Sequence, residues 1–204
     1  MEVVIIKYNA GNIQSVLFAL ERLGLEANVT DDPASIRSAD KVIFPGVGEA
    51  GSAMAYLRER NLDQLIAGLQ QPVLGICVGM QLLCRHSEEN NTACIGVLPI
   101  MLKKFEVSEE RRPDGSVARI KVPQIGWNSI YDLKSPLFKG IPENSYIYNV
   151  HSYYAEDSEY TIARCNYGIP YAAAVRKNNF YGVQFHTEKS AAIGEKILKN
   201  FLDE

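Results

Sequence analysis

Gly75-Ile76-Cys77-Val78-Gly79 lies between a short apolar run and a helical pattern. Glycines on both sides of a cysteine suit a nucleophile on a sharp strand-to-helix turn, whose flanks leave no room for side chains. There the thiol faces the free backbone N–H groups of a first helical turn, which stabilise negative charge on sulfur. The same five residues also suit a buried structural cysteine. A second constellation, Gly182-Val183-Gln184-Phe185-His186-Thr187-Glu188, ends a strand-like run with His and Glu two residues apart. On extended backbone those side chains share a face, and a carboxylate beside an imidazole selects its tautomer and supports the imidazolium. Read alone, it is equally a polar pair on an exposed strand end. A third segment, Pro45-Gly46-Val47-Gly48, follows another apolar run. Glycine-flanked peptides can aim N–H groups at an oxyanion, or turn over at little cost. The plainer alternative is a strand-ending turn.

Elements able to bring these groups together follow from the pattern of apolar residues. Val3 to Lys7 is a continuous apolar run, suited to a strand covered on both faces. Ile13, Val16, Leu17, Leu20 and Leu23 share a helix face, stopped by Gly24. Ala27 to Thr30 reads as a strand ended by Asp31-Asp32-Pro33, and Lys41 to Phe44 as one halted by Pro45-Gly46. A helical stretch around Met54, Leu57 and Leu62 to Leu69 precedes a strand over Pro72 to Ile76, which feeds a helix through Met80, Leu82 and Leu83. This alternation predicts an α/β fold with a doubly wound, mostly parallel sheet flanked by helices. In the second half, Ile100 to Val107 and Val117 to Val122 flank Pro113-Asp114-Gly115, which predicts an antiparallel hairpin. Further strands are expected over 146–150, 160–165, 171–176 and 180–184, with a closing helix over 190–202. Neither a linker nor a repeat interrupts the chain, so residues 1–204 read as a single domain with an antiparallel subregion.

The 204 residues are 47% apolar and 22% charged, a balance that excludes a disordered acidic chain. Lys plus Arg number 21 against 24 Asp plus Glu, a net charge of −3 that gives no basic surface for nucleic acid. No run approaches the ~20 apolar residues of a membrane span. The start lacks the basic region and long apolar core of a secretory signal, so a cytoplasmic location with reduced thiols is expected. Four cysteines without a C-x-x-C pair and only three histidines argue against a zinc site.

The cysteine turn extended through Met80-Gln81, together with Gly182 to Glu188 and the following Lys189-Ser190, resembles the class I, triad-type glutamine amidotransferases. That resemblance implies that Cys77 attacks the glutamine side-chain amide, His186 shuttles the proton and Glu188 orients His186. Tyr8-Asn9-Ala10-Gly11-Asn12, Pro45-Gly46-Val47-Gly48, Val122-Pro123-Gln124-Ile125-Gly126-Trp127-Asn128 and Val150-His151-Ser152-Tyr153 are similar to segments of the glutaminase subunits of imidazole glycerol phosphate synthases, in histidine biosynthesis. The similarity implies an oxyanion hole from the backbone at Val47, Gly48 and Val78, and glutamine contacts from Gly46, Gln81, Glu89, Ser152 and Tyr153. It also implies a heterodimer with a (β/α)₈-barrel cyclase subunit that receives the ammonia, with Asn12, Trp127, Tyr148, His151 and Lys189 near the interface or the ammonia passage. Plainer readings stand beside several of these: Gln81 as a solvated helix position, Glu89 as a charged helix end, His151 as a hydrogen-bonded core histidine and Trp127 as a core anchor.

Two departures from the family pattern matter. His186-Thr187-Glu188 replaces the usual His-Pro-Glu, and Gln124 stands where the family commonly has histidine, so that histidine's role does not carry over. The Pro-Gly-Gly-Glu-Ser loop of the vitamin B6 glutaminase subunits is absent. Alternatives at this point are the same chemistry feeding another ammonia-accepting synthase, a catalytically silent interaction subunit, and a cysteine peptidase of similar architecture.

Overall fold

The computed structural model describes residues 1–9, 12–111 and 117–204. Its first half runs β1 (Val3–Ile6), α1 (Ile13–Arg22), β2 (Ala27–Thr30), α2 (Pro33–Ser38), β3 (Lys41–Gly46), α3 (Ala50–Glu59), α4 (Leu62–Ala67), β4 (Val73–Cys77) and α5 (Val78–Leu83). Strands β1, β3 and β4 are buried at every position, as expected where helices cover both faces of a parallel sheet. Strand β2 pairs with β1, β1 with β3 and β3 with β4, all in parallel. Helix α1 turns Val16, Ala19 and Leu20 inward, which accounts for the apolar spacing in its sequence.

The second half comprises β5 (His86–Ser87), β6 (Thr92–Ala93), β7 (Met101–Lys104), β8 (Ser108–Arg111), β9 (Val117–Ile120), β10 (Gln124–Tyr131), β11 (Ser145–His151), β12 (Tyr153–Ala155), β13 (Thr161–Asn166), β14 (Pro170–Lys177), β15 (Phe180–Val183) and α6 (Ala191–Asp203). The main sheet reads β2-β1-β3-β4-β15-β14-β12-β7-β5-β6, with β10, β11 and β13 branching from it. Strand β15 is the seam: it is parallel to β4 on one side and antiparallel to β14 on the other. The fold is thus an α/β sheet, mostly parallel in its first half, with antiparallel strands in its second and flanking helices. None of the helices described is long and apolar enough to cross a membrane.

Several expectations are corrected. Strand β3 does not stop at Phe44 but runs through Pro45 and Gly46, which stand beside Ile76 and Cys77. The missing N–H of Pro45 is no obstacle at the strand end, and its carbonyl accepts the Tyr8 hydroxyl at 2.7 Å. Asp31-Asp32-Pro33 ends β2 and also starts α2, because Asp32 caps the Ser35 N–H at 2.8 Å and proline suits the first helical position. The helix foreseen from Met54 to Leu69 is two, broken at Asn61 with φ 55°. The expected hairpin is shifted: β9 pairs antiparallel with β8, not with residues 100–107. Pro113-Asp114-Gly115 lies outside the described residues, while β7 joins the main sheet between β12 and β5. Strand β10 has no counterpart in the sequence reading, yet it pairs with β11 from Gln124–His151 to Ile130–Ser145. Gly126 and Asn128 are poor strand formers, and the alternation begun by Ile125 and Trp127 lapses at Ser129-Ile130.

Candidate active site

Three parallel strand ends meet at one point. The register pairs Gly46 at the end of β3 with Cys77 at the end of β4, and Ile76 with Val183 at the end of β15. Carboxyl ends of neighbouring parallel strands form the usual ligand crevice of such sheets. A cavity of about 300 Å³ opens there, lined among others by Val47, Gly48, Cys77, Val78, Gln81 and His186.

Cys77 has φ 54° and ψ −114°, a conformation that costs a non-glycine residue ~1–3 kcal/mol. The turn that imposes it depends on the glycines around it. A Cβ at Gly79 would collide with the Phe44 carbonyl, and one at Gly75 would sit 2.7 Å from the Met80 nitrogen. The turn therefore holds its tight packing only with glycine at both places, and it projects the thiol into the cavity at the start of α5. The sulfur faces an acceptor, the Val150 carbonyl at 3.8 Å, and a donor, Gln184 Nε2 at 3.9 Å.

His186 and Glu188 pair, but not in the way the extended reading supposed. Strand β15 ends at Val183, and Thr187–Lys189 form a 3₁₀ turn in place of continued strand. Within that turn His186 Nδ1 lies 2.7 Å from Glu188 Oε1, and the same oxygen accepts Asn12 Nδ2 at 2.8 Å. Burial works to lower the imidazole pKa. Hydrogen bonds to Cys77 and Glu188 outweigh it and raise the value well above the ordinary histidine range. One nitrogen is thus held by the carboxylate while the ring and the cysteine line the same cavity, the arrangement of a proton-shuttling base.

The turn is tied to β11. Tyr148 accepts the His186 N–H at 2.9 Å and donates its own N–H to Ser190 Oγ, also at 2.9 Å. The Ser190 hydroxyl in turn donates to the His186 carbonyl at 2.6 Å. Thr187, where the family has proline, is buried in this turn.

Val47, Gly48, Val78, Glu89, Ser152 and Tyr153 all line the cavity. Gly48 has φ +100°, a backbone state suited to glycine, and open space where a Cβ would be. Gly46 is packed tightly instead, since a Cβ would fall 2.6 Å from the Tyr8 hydroxyl. Gln81 is buried rather than solvated, and Glu89 accepts the Ala50 N–H at 2.7 Å at the start of α3 while facing the cavity. Burial raises the Glu89 carboxyl above its ordinary value, against the opposing pull of that N–H.

The five residues expected near a partner divide. Trp127 and Lys189 are exposed, and Tyr148 stacks edge-on to Trp127 at 5.7 Å between ring centroids. Asn12 is spent on Glu188. His151 is buried, with Nδ1 2.8 Å from the Tyr153 carbonyl and its Nε2 near the Tyr171 hydroxyl at 3.4 Å. Burial lowers its pKa to about 4, so at neutral pH it is an uncharged imidazole donating from Nδ1. Gln124 is buried too and accepts the Tyr171 hydroxyl at 3.1 Å.

Tyr8, Gln184 and Ser190 carry site contacts that motif reading gave no role. Ser190 closes the quoted C-terminal segment and Gln184 sits inside it, but only their partners across the fold reveal what they hold. Among the described residues no cluster of His, Cys, Asp and Glu is arranged to hold a metal, and all four cysteines are free.

Comparison with known proteins bears on the family and the fold. The sequence pattern of the family described as glutamine amidotransferase class-I matches residues 4–204. The chain is 52% identical over 203 residues to the imidazole glycerol phosphate synthase subunit HisH of Bacteroides fragilis, covering 100% of both. It is 47% identical over 204 residues to the protein of that name from Escherichia coli K12, again covering 100% of both. Among solved structures, a glutamine amidotransferase of Thermotoga maritima superposes with TM-score 0.63 at 17% identity, over 100% of this chain and 83% of that one. PurLQS of the same organism gives 0.66 at 16%, over 99% and 97%.

Proposed function

The chain belongs to the class I glutamine amidotransferases, and from that membership we propose a glutaminase subunit that supplies ammonia to a partner cyclase in imidazole glycerol phosphate synthesis. The observation that carries the chemistry is the convergence of Cys77, His186 and Glu188 on one cavity. Cys77 sulfur attacks the carboxamide carbon of glutamine as His186 takes the thiol proton. The oxyanion is received by backbone N–H groups at Val78 and in the Val47-Gly48 loop. His186 returns the proton to the departing nitrogen, which leaves as ammonia, and the glutamyl group remains as a thioester. Water, deprotonated by His186, then releases glutamate and restores the thiol. Glu188 keeps the proton on Nδ1 so that Nε2 faces the reaction. Gly46 packing, Gln81, Glu89, Ser152 and Tyr153 shape the glutamine site. Glu89 is suited to the substrate ammonium, and no cofactor is needed.

The partner reading rests on the names of the relatives and on one surface. Ile125, Trp127 and Tyr146 are 64%, 53% and 63% exposed. The β10–β11 register puts them on one face, with Ile125 opposite Val150, which lines the cavity. An apolar, aromatic face continuous with the site suits a barrel-type cyclase docked over the cavity mouth. As one domain over residues 1–204, the chain would work beside that partner in the cytoplasm. The test is glutamine hydrolysis with and without the cyclase and its ribonucleotide ligand. Stimulation by the liganded partner is expected, as is loss of that stimulation in Gly48→Pro, which removes an N–H and cannot reach φ +100°. Equal turnover by the isolated chain and the liganded complex would overturn the partner reading.

A further inference from the structure

We infer that the Gln184 side chain is a catalytic group that donates a hydrogen bond to the Cys77 sulfur, with its polarity set by a chain of amides ending on the Tyr153 carbonyl. This rests on Cys77 as the nucleophile and adds a group to its activation. The argument turns on which end of each amide points where. A backbone carbonyl only accepts, so Gln81 must present its NH₂ to the Tyr153 oxygen, at 3.1 Å. The second hydrogen of that same NH₂ meets a Gln184 side-chain atom, also at 3.1 Å, which must therefore be the acceptor Oε1. The Gln184 NH₂ is left facing Cys77 Sγ at 3.9 Å. Turning over either amide would set NH₂ against NH₂ or oxygen against oxygen. Gln184 is fully buried and Gln81 3% exposed, so water cannot substitute for a lost partner.

The donor answers a problem at the sulfur. In the thiol form Cys77 donates to the Val150 carbonyl, an acceptor that opposes a negative sulfur. When the thiol proton passes to His186, the S–H···O contact is lost and the charge faces that carbonyl dipole. The Gln184 N–H then becomes a charge-assisted donor on the other side, without moving. The β4–β15 register ends with Val183 beside Ile76, and Gln184 and Cys77 are the residues that follow that last pair.

The test is the rate of Cys77 alkylation by iodoacetamide as a function of pH, with the labelled site resolved by peptide mapping and folding followed by near-UV circular dichroism. It needs no glutaminase turnover. A folded chain whose Cys77→Ala form still hydrolyses glutamine would sink the nucleophile assignment, whatever Gln184 does. Gln184→Met removes the donor at similar length and should slow alkylation ~10-fold at neutral pH, converging with the parent protein at strongly alkaline pH, where the sulfur is ionised in both. Gln184→Glu keeps an acceptor for Gln81 and guards against simple misfolding. It places a carboxylate against the sulfur and should be slower still at neutral pH. Unchanged neutral-pH alkylation in folded Gln184→Glu, or equal slowing of Gln184→Met at every pH, would refute the donor role.

Discussion

The parallel strands β1, β3 and β4 and the antiparallel strands β10 and β11 supply different parts of the same cavity by different physics. The parallel strands are buried along their whole length, and the cysteine turn at their edge is packed so closely that added Cβ atoms would strike backbone. Strands β10 and β11 alternate, with Ile130 and Ile147 inside and Trp127 and Tyr146 in solvent. The nucleophile is therefore held by dense packing, whereas the base is held by a few hydrogen bonds to a strand whose other face is open. A partner bound to that open face would press on the strand that positions His186 and carries the Val150 carbonyl, while the tightly packed backbone of the cysteine turn keeps its shape. Rigid storage of the nucleophile and adjustable placement of the base are the division this comparison suggests.

The widest break of that division comes from the buried side. Cys77→Ala should abolish glutamine hydrolysis, measured as glutamate release, while the thermal midpoint stays near the parent value, because the side chain is small. The assembled complex should still make product from added ammonia. Next, His186→Ala should lower hydrolysis by ~10²–10⁴, and Glu188→Gln by less, since it keeps the side-chain shape and weakens only support for the imidazolium. The reverse order in steady-state kinetics would mean the roles are misassigned.

Ser190→Ala probes the joint between the two regions. It leaves the Tyr148 N–H without its acceptor and should cost ~1–3 kcal/mol in denaturant unfolding. It should also lower hydrolysis more than it lowers Cys77 alkylation, because it disturbs the base and not the nucleophile. Equal losses in both assays would erase the proposed division.

A separate effect, on no catalytic step, is in pH-dependent stability. His151 has its folded pKa depressed to about 4, below the ~6.5 of an unfolded histidine. Its contribution is present above ~6.5 and is lost as pH falls toward 4. His186 is raised, so its contribution is complete below ~6.5 and is lost only as pH rises through its folded value. Unfolding free energy should therefore fall on acidification from neutral pH, and His151→Asn should flatten that slope without changing the alkaline side. A parent-like acid slope in His151→Asn would remove His151 as its source.

Much of the parallel half is legible in the residues, since a strand covered on both faces must be a short apolar run and a helix must show its spacing. The residue pattern places Ala27–Thr30 at its observed bounds, and β1 and β4 within a residue of their ends. The antiparallel half was harder. Strand β10 carries the poor strand formers Gly126 and Asn128 and loses its alternation at Ser129-Ile130, and β12 is only three residues long. Their strand character comes from the neighbours they pair with.

The order of residues along the chain supplies the groups: a cysteine between glycines, a histidine and a glutamate two apart, and a glycine loop after a buried strand. Those are local facts, governed by sterics and periodicity over a few residues. How they meet is a property of the folded chain. The 3₁₀ turn pairs His186 with Glu188 where extended backbone was expected, and Ser190 ties that turn to β11. The parallel register of β4 and β15 brings Cys77 beside Gln184 across 107 residues of chain. The orientation of that amide depends in turn on a carbonyl in a third element. Contacts of this range leave no periodic trace in the chain, because each partner satisfies its own local pattern equally well without the other.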